Sequence, residues 1–472
     1  MYVSAARWLL AALWLGGLAS AAGAVSYQGE RDLGQGFDLT ARQRLKMVSD
    51  PDVVAYVNDI GRKIAATLDG SYFDYQFAVV LDPRVNAFAV PGGWVYVHSG
   101  LLATAKNDDE VAAVLGHEIG HVHAHHIVRQ QEKTGLLSYA SLFGLLLGVV
   151  QPAAGALASA ASQAAILQYQ RDFEQEADYL GARYMLAAGY DPRAMLDFFK
   201  QLSDQQRLSP ALAPPYLQTH PMSDERLNHL EAVLKTPQWK THQRQPITLA
   251  LERVQALVRV RMEPPADVLA AYRRPVDQHP ANATGQYLYG LVAFELGQLD
   301  VAAVALQAAH DGGLGAATRE LGRLALRQRD APRARALLTE YLASTPDDAG
   351  AYVELAKADE ALGDREAALE AYQRALTLAP WLETAQRGYG LLVGRAGNAG
   401  EGFYHLASAA RLGGDYTTAL SQYARAVPLL PAGDARADEA RAWVVSLSQF
   451  LKIEAPSLEA SQTGEHAPPA RD

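Results

Sequence analysis

The sequence predicts a mostly α-helical chain: an α+β domain of helices plus a small sheet, followed by an α-solenoid of helix pairs. Three observations predict it. Strand-like sequence is confined to YQFAVVLD (75–82) and NAFAVPGGWVYVHSG (86–100). Sequence of helical period surrounds those strands, and from residue 283 the chain repeats itself. At 472 residues it is too long for one ordinary core, and roughly two to four domains are expected.

Composition narrows the function. Hydrophobic residues make up 49% and charged residues 20%, a globular balance. The net charge is −10 and there is no long basic stripe, so nucleic acid is excluded as a partner. There are no cysteines. Disulfides, thiolate metal sites, cysteine nucleophiles and lipid attachment through cysteine are all excluded, and any metal must be held by His, Asp or Glu.

Residues 1–24 have the parts of a secretory signal peptide: Arg7, an apolar run from Trp8, and small residues ending at Ala24, where cleavage is expected. That makes the mature chain an exported one. Residues 25–235 form the expected first domain. Within it, 38–70 reads as helix, with apolar residues at Val53, Val54, Val57, Ile60, Ile64 and Leu68. Helical sequence resumes from about 107 to 132. Residues 135–167 are nearly all apolar and are read as a buried or lid-like helical hairpin in preference to a transmembrane pair, because serines and alanines are frequent and Gln151–Pro152 interrupt the run. Peripheral membrane contact stays open for this segment. Connector helices are expected over 236–282.

Over 283–450, Gly, Ala, a bulky residue and Ala recur at fixed offsets, as Gly363, Ala368, Tyr372, Ala375 and Pro380 and again as Gly414, Ala419, Tyr423, Ala426 and Pro431. This is the tetratricopeptide pattern, in which small residues let paired helices approach. The phase slips near 397–400, so about four units are expected. The polar tail over 451–472 is expected to be disordered.

The chemistry lies in VLGHEIGHVHAHH (114–126). His117 and His121, four apart on a helix, put two imidazoles on one face, about 5–6 Å apart at Cβ, which suits one tetrahedral ion. Glu118 between them completes H-E-x-x-H, in which the glutamate is general base. A third histidine in the metzincin arrangement is ruled out, because Ala124 and Ile127 stand where glycine and histidine are required. The third ligand is sought instead on a second helix, in RDFEQEADYLGARYML (171–186). There Glu174, Asp178 and Gly181 share a face, whereas Glu176 points away. Glu174 could bind the ion and Asp178 could hold a ligand histidine. Gly181 would permit close helix packing. Of the remaining histidines, His125 could stand behind a ligand or in the cleft wall, His123 is expected on the helix surface, and His126 stays ambiguous.

HEIGH, Glu174–Asp178 as E-x-x-A-D, THPMSDER (219–226) and NAFAVPGGWVYVHSGLL together resemble the HtpX and CaaX-prenyl-protease group of zinc endopeptidases. The signal and the repeats resemble one subgroup, the soluble periplasmic beta-barrel assembly-enhancing proteases. The resemblance covers about 38–235 and implies a zincin-like metallopeptidase fold for the domain expected over 25–235. It implies one Zn2+ per chain held by His117, His121 and Glu174, with Glu118 as base. It also implies that the strand Gly92, Gly93, Trp94, Val95, Tyr96 offers its edge to an extended substrate, the alternative being an ordinary sheet member. His220 and Arg226 are candidates for stabilising the oxyanion. Alternatively, His220 could fill the open position on zinc, or simply precede Pro221 at a helix start.

The function expected from these residues is a zinc-dependent endopeptidase of the cell envelope that degrades misassembled exported or outer-membrane proteins. Its partners would be unfolded polypeptides and, through the repeats, outer-membrane protein assembly machinery. The competing expectation is a non-proteolytic chaperone or adaptor with a structural metal site, for which Glu118 would have no use.

Overall fold

The structure, a computed structural model, describes residues 25–134, 160–239, 246–456 and 458. The expected signal peptide, positions 135–159 of the apolar hairpin with its lid and membrane roles, and positions 459–472 of the tail lie outside the described residues. Among those described, no helix is long and apolar enough to cross a membrane.

The expected helix over 38–70 is two helices. α1 (Tyr27–Arg44) is capped by Ser26, and α2 (Pro51–Ala65) by Asp50, with Pro51 in the first turn. Between them Met47 pairs with Val80 as an isolated antiparallel bridge, which requires extended backbone. Leu33, Phe37 and Ala41 of α1 pack on Ala78, Val80, Phe88, Val90 and Tyr96 of the sheet.

The sheet comprises β1 (Gln76–Val80), β2 (Ala87–Val90) and β3 (Trp94–His98) in the order β1-β3-β2. β3 runs parallel to β1 and antiparallel to β2, with Phe77 opposite Val95 and Phe88 opposite Tyr96. This corrects the expectation for Trp94, Val95 and Tyr96. β3 is the central strand, so β1 and β2 take both of its hydrogen-bonding edges. The edge strand beside the histidine helix is β2. Gly92 and Gly93 form the β2–β3 turn at φ 83° and 97°. A Cβ on Gly92 would come within 2.7 Å of the Glu30 carbonyl oxygen, so the close approach there is to α1.

After α3 (Ser99–Thr104), α4 (Asp108–His123) carries HEIGH. Asn107 caps it by accepting from Glu110 N, and the Glu110 carboxylate accepts from Lys106 N. α5 (His126–Thr134) follows a break at His125, which has φ 54°. α6 (Ala160–Ala187) crosses α4 at glycines: a Cβ on Gly181 would lie 2.8 Å from His117 N, and one on Gly120 would lie 2.9 Å from the Ala177 carbonyl oxygen. α7 (Arg193–Leu208), α8 (Tyr216–Thr219) and α9 (Asp224–Leu234) close the domain.

α10 (Leu249–Met262) and α11 (Pro265–Gln278) lead to helix pairs: α12 (Ala283–Glu295) and α13 (Leu299–Asp311), α14 (Ala316–Arg327) and α15 (Ala331–Ser344), α16 (Ala349–Leu362) and α17 (Arg365–Leu378), α18 (Glu383–Arg395) and α19 (Ala399–Leu412), α20 (Tyr416–Ala426) and α21 (Ala435–Leu451). The described residues thus hold ten helices from 283 onward, five pairs where about four units were expected, and the motif at Gly414 follows only 17 residues after Gly397, which is the slip in phase. Gly397 turns left-handed at φ 101°, as Gly363 does at 80°. Gly402 and Leu406 stand there in place of the usual Ala and Tyr, which hid the period. Gly290 packs on Leu306 and Gly322 on Leu338, the same small-on-large contact in successive pairs.

The chain forms two compact units, one ending at Glu320 and the other beginning at Leu321. The first repeat pair therefore belongs to the first unit. A buried ion cluster fixes α10 and the start of α14 to α2 there: Arg253 Nη2 lies 2.7 Å from both Asp52 and Glu320, and Arg319 Nη1 lies 2.7 Å from Asp52.

Candidate metal centre

α4 and α6 touch at Gly116, Gly120, Ala177 and Gly181, which brings the faces on either side of that contact together. His117 Nε2 and His121 Nε2 lie 2.9 Å apart. Glu174 on α6 reaches both, at 3.4 Å from His117 and 3.3 Å from His121. His220, which follows α8, adds Nδ1 at 3.3 Å from His117 Nε2 and 3.1 Å from Glu174 Oε1. One donor atom from each of these four residues lies within 4.8 Å of the others. Four bonds of about 2.1 Å at tetrahedral angles would place donor atoms roughly 3.4 Å apart. The separations among His117, His121 and Glu174, 2.9 to 3.4 Å, fit a small divalent ion with N and O ligands.

Glu118 faces the same space. It is 1% exposed, and its Oε1, 3.4 Å from His220 Nε2, makes no hydrogen bond among the described residues. A buried carboxylate without a hydrogen bond is costly, and one beside four metal donors is suited to handling a proton.

The groups behind the donors fix their orientation. Asp178 Oδ1 lies 2.9 Å from His117 Nδ1, which turns the His117 Nε2 lone pair toward the other donors. On the other side, His121 Nδ1 is 2.8 Å from His126 Nδ1, and His126 Nε2 is 3.1 Å from Glu176 Oε2. A proton on His126 Nε2, donated to Glu176, leaves Nδ1 to accept from His121 Nδ1–H, so the His121 Nε2 lone pair also faces inward. Arg226 is 3% exposed and is taken up by carboxylates: Nη1 is 2.6 Å from Glu174, while Nε and Nη2 are 2.8 and 2.7 Å from Asp178.

Electrostatics follow from this packing. Burial alone would raise Glu174, yet His220, Arg226 and His121 hold it well below the usual carboxylate range. Burial opposes charge on His117, but Asp178 and Glu174 push it up to about 9. Burial takes His121 down to about 3. Without a metal cation, His117 and not His121 is the imidazole of the pair favoured as its cation.

The structure therefore brings His117, Glu118, His121, Glu174, Asp178, His220 and Arg226 into one buried cluster. The sequence reading missed three residues. His126 and Glu176 orient His121, and they meet only because α4 breaks at His125 and α5 turns back. Tyr216 is fully buried with its ring 4.6 Å from that of His220, and its hydroxyl makes no hydrogen bond among the described residues. No local signal marks Tyr216. For His126, the cue was its five-residue separation from His121, which fits a broken helix and not a continuous one.

Residues 51–234 match the sequence profile of peptidase family M48, a span that contains every donor above. The chain is 34% identical over 202 residues to the putative beta-barrel assembly-enhancing protease of Vibrio cholerae, covering 41% of this chain and 42% of that one. It is 31% identical over 216 residues to the beta-barrel assembly-enhancing protease of Escherichia coli K12, covering 44% of each. It is also 32% identical over 187 residues to the mitochondrial metalloendopeptidase OMA1 of Schizosaccharomyces pombe, covering 39% of this chain and 54% of that one. The chain thus spans about half or less of the length of these relatives.

Proposed function

We propose, from the match of residues 51–234 to peptidase family M48, that the chain is a zinc-dependent endopeptidase of the cell envelope. His117, His121 and Glu174 are the ligands. The observation that carries this reading is the unbonded Glu118 carboxylate beside three donors already turned inward by Asp178, Arg226 and the His126–Glu176 pair. Zinc bound there supplies a Lewis acid for the scissile carbonyl and lowers the pKa of a water. Glu118 takes the proton of the attacking water and passes it to the leaving nitrogen. Arg226 acts as a positioning residue through Glu174 and Asp178. An extended substrate pairs with the edge of β2 that no other strand takes among the described residues, and Val90 at its end lines a crevice with His121.

The cellular role follows from sequence features and relatives together. The signal-like N-terminus favours the periplasm. The relatives are named for proteolysis and for enhancing beta-barrel assembly, which supports a proposal of misassembled outer-membrane proteins as substrates, with the helix pairs as the surface for assembly partners. Exchange of Glu118 for Gln tests the enzymatic step. Cleavage of unfolded casein should be lost while metal content is kept, and retained cleavage would contradict the reading.

His220 supports a second reading. Its Nδ1 stands where a fourth donor closes the site, the arrangement of a structural metal centre in a non-proteolytic chaperone. In the enzymatic reading the same contact is a resting state, and substrate requires His220 to move away.

A further inference from the structure

Beyond the histidine break, on the far side of His125 from β2, lies a cavity of about 300 Å³ lined by Asp69, Gly70, Ser71, Tyr72, Phe73, Tyr75, His123 and His125. Nothing in the metal centre uses it. Tyr75 is 5% exposed, and its hydroxyl makes no hydrogen bond among the described residues. That buried polar atom lacks the partner that folding normally provides. Asp69 is an exposed member of the lining and acts electrostatically on His123 beside it. The lining holds one carboxylate and no lysine or arginine. Arg31, outside the lining, hydrogen-bonds the Tyr72 carbonyl and keeps its charge. Three aromatic side chains form the body of the cavity, and Tyr27 stacks on Tyr72 with centroids 4.1 Å apart.

The wall is deliberately held. His125 is a non-glycine residue at φ 54°, a conformation that costs about 1–2 kcal/mol. Its ring is kept in place by Glu30 at 2.8 Å and by the edges of Tyr27 and Phe73. His125 also lines the crevice formed by Ala89, Val90, Pro91 and His121. A polypeptide running along β2 past the metal donors therefore meets this cavity next.

The geometry points to a substrate subsite for a basic side chain: a lysine or arginine of the bound polypeptide lies along the Tyr72 and Phe73 rings, with its cation at Asp69 and Tyr75. Aromatic faces, a lone carboxylate and an unsatisfied phenol oxygen are the complement of an alkyl stem ending in a cation. This assignment rests on the endopeptidase reading above.

The test uses quenched-fluorescent peptides in which one lysine is walked across the positions flanking a fixed scissile bond, each matched with a norleucine peptide. At one position the lysine peptide should be preferred by about 5- to 10-fold in kcat/KM, a cation–π contact plus a partly exposed ion pair. Asp69→Asn and Tyr75→Phe, each checked for an unchanged melting temperature, should bring that ratio toward one. Asp69→Lys should move the preference at that position to glutamate. Equal cleavage at every position, or a preference for phenylalanine over lysine, overturns the subsite and leaves the endopeptidase reading standing. If the chain cleaves no peptide, that reading fails, and fluorescence anisotropy of the same peptides on Glu118→Gln decides the subsite alone: tighter binding of the lysine peptide supports it, and equal binding overturns it.

Discussion

Arg226 grips Asp178 through two parallel hydrogen bonds, Nη2 to Oδ1 at 2.7 Å and Nε to Oδ2 at 2.8 Å, with both side chains buried. The same carboxylate orients His117, and the same guanidinium reaches Glu174. One ion pair thus sets the geometry of two of the three proposed ligands. Asp178→Ala should weaken zinc binding by about 10- to 100-fold in chelator competition. Arg226→Lys should not restore normal affinity, because an ammonium cannot hold two carboxylates bidentately. Wild-type affinity in both variants would remove the pair from the site.

His126 should matter for zinc although it is not a ligand. His126→Ala deprives His121 of the acceptor that fixes its tautomer, and about a tenfold loss of zinc affinity is expected. Glu176→Gln should act in the same direction but more weakly, since it leaves the imidazole in place. Competition with a fluorescent chelator reads both.

The pH dependence has a definite sign. In the metal-free protein His117 is raised from 6.5 to about 9. Its protonated form therefore stabilises the metal-free fold fully below pH about 6.5, and that contribution is lost as pH rises through about 9. Zinc must displace that proton. Apparent zinc affinity should rise by up to about tenfold per pH unit between 7 and 9, with roughly one proton released, as titration calorimetry in two buffers would show.

Gly181→Ala tests the helix crossing. The added methyl meets the backbone of Gly116 and His117 at 2.8 Å, and neither can step aside as a side chain can. A loss of about 1–3 kcal/mol is expected. A melting temperature equal to wild type would mean that α4 and α6 cross elsewhere.

How much was legible in the sequence depends on the range of the interaction. His117, Glu118 and His121 lie within five residues and are readable from helix spacing. Glu174 and Asp178 required a second helix face but only one such inference. Strand order was beyond reach: the alternation in Trp94–His98 says that a strand exists and cannot say that it lies between two others. The His126–Glu176 contact depends on a backbone break at a non-glycine residue. The repeat at 397–412 kept its period while losing the residues that signal it.

The most direct measurement is a crystal structure of the zinc-soaked protein with anomalous data collected at the zinc edge. The account predicts one peak per chain at about 2.0–2.2 Å from His117 Nε2, His121 Nε2 and a Glu174 oxygen, with Glu118 close by but not bonded to the metal. A peak bonded to Glu118, or one held elsewhere with these three side chains uncoordinated, would contradict it.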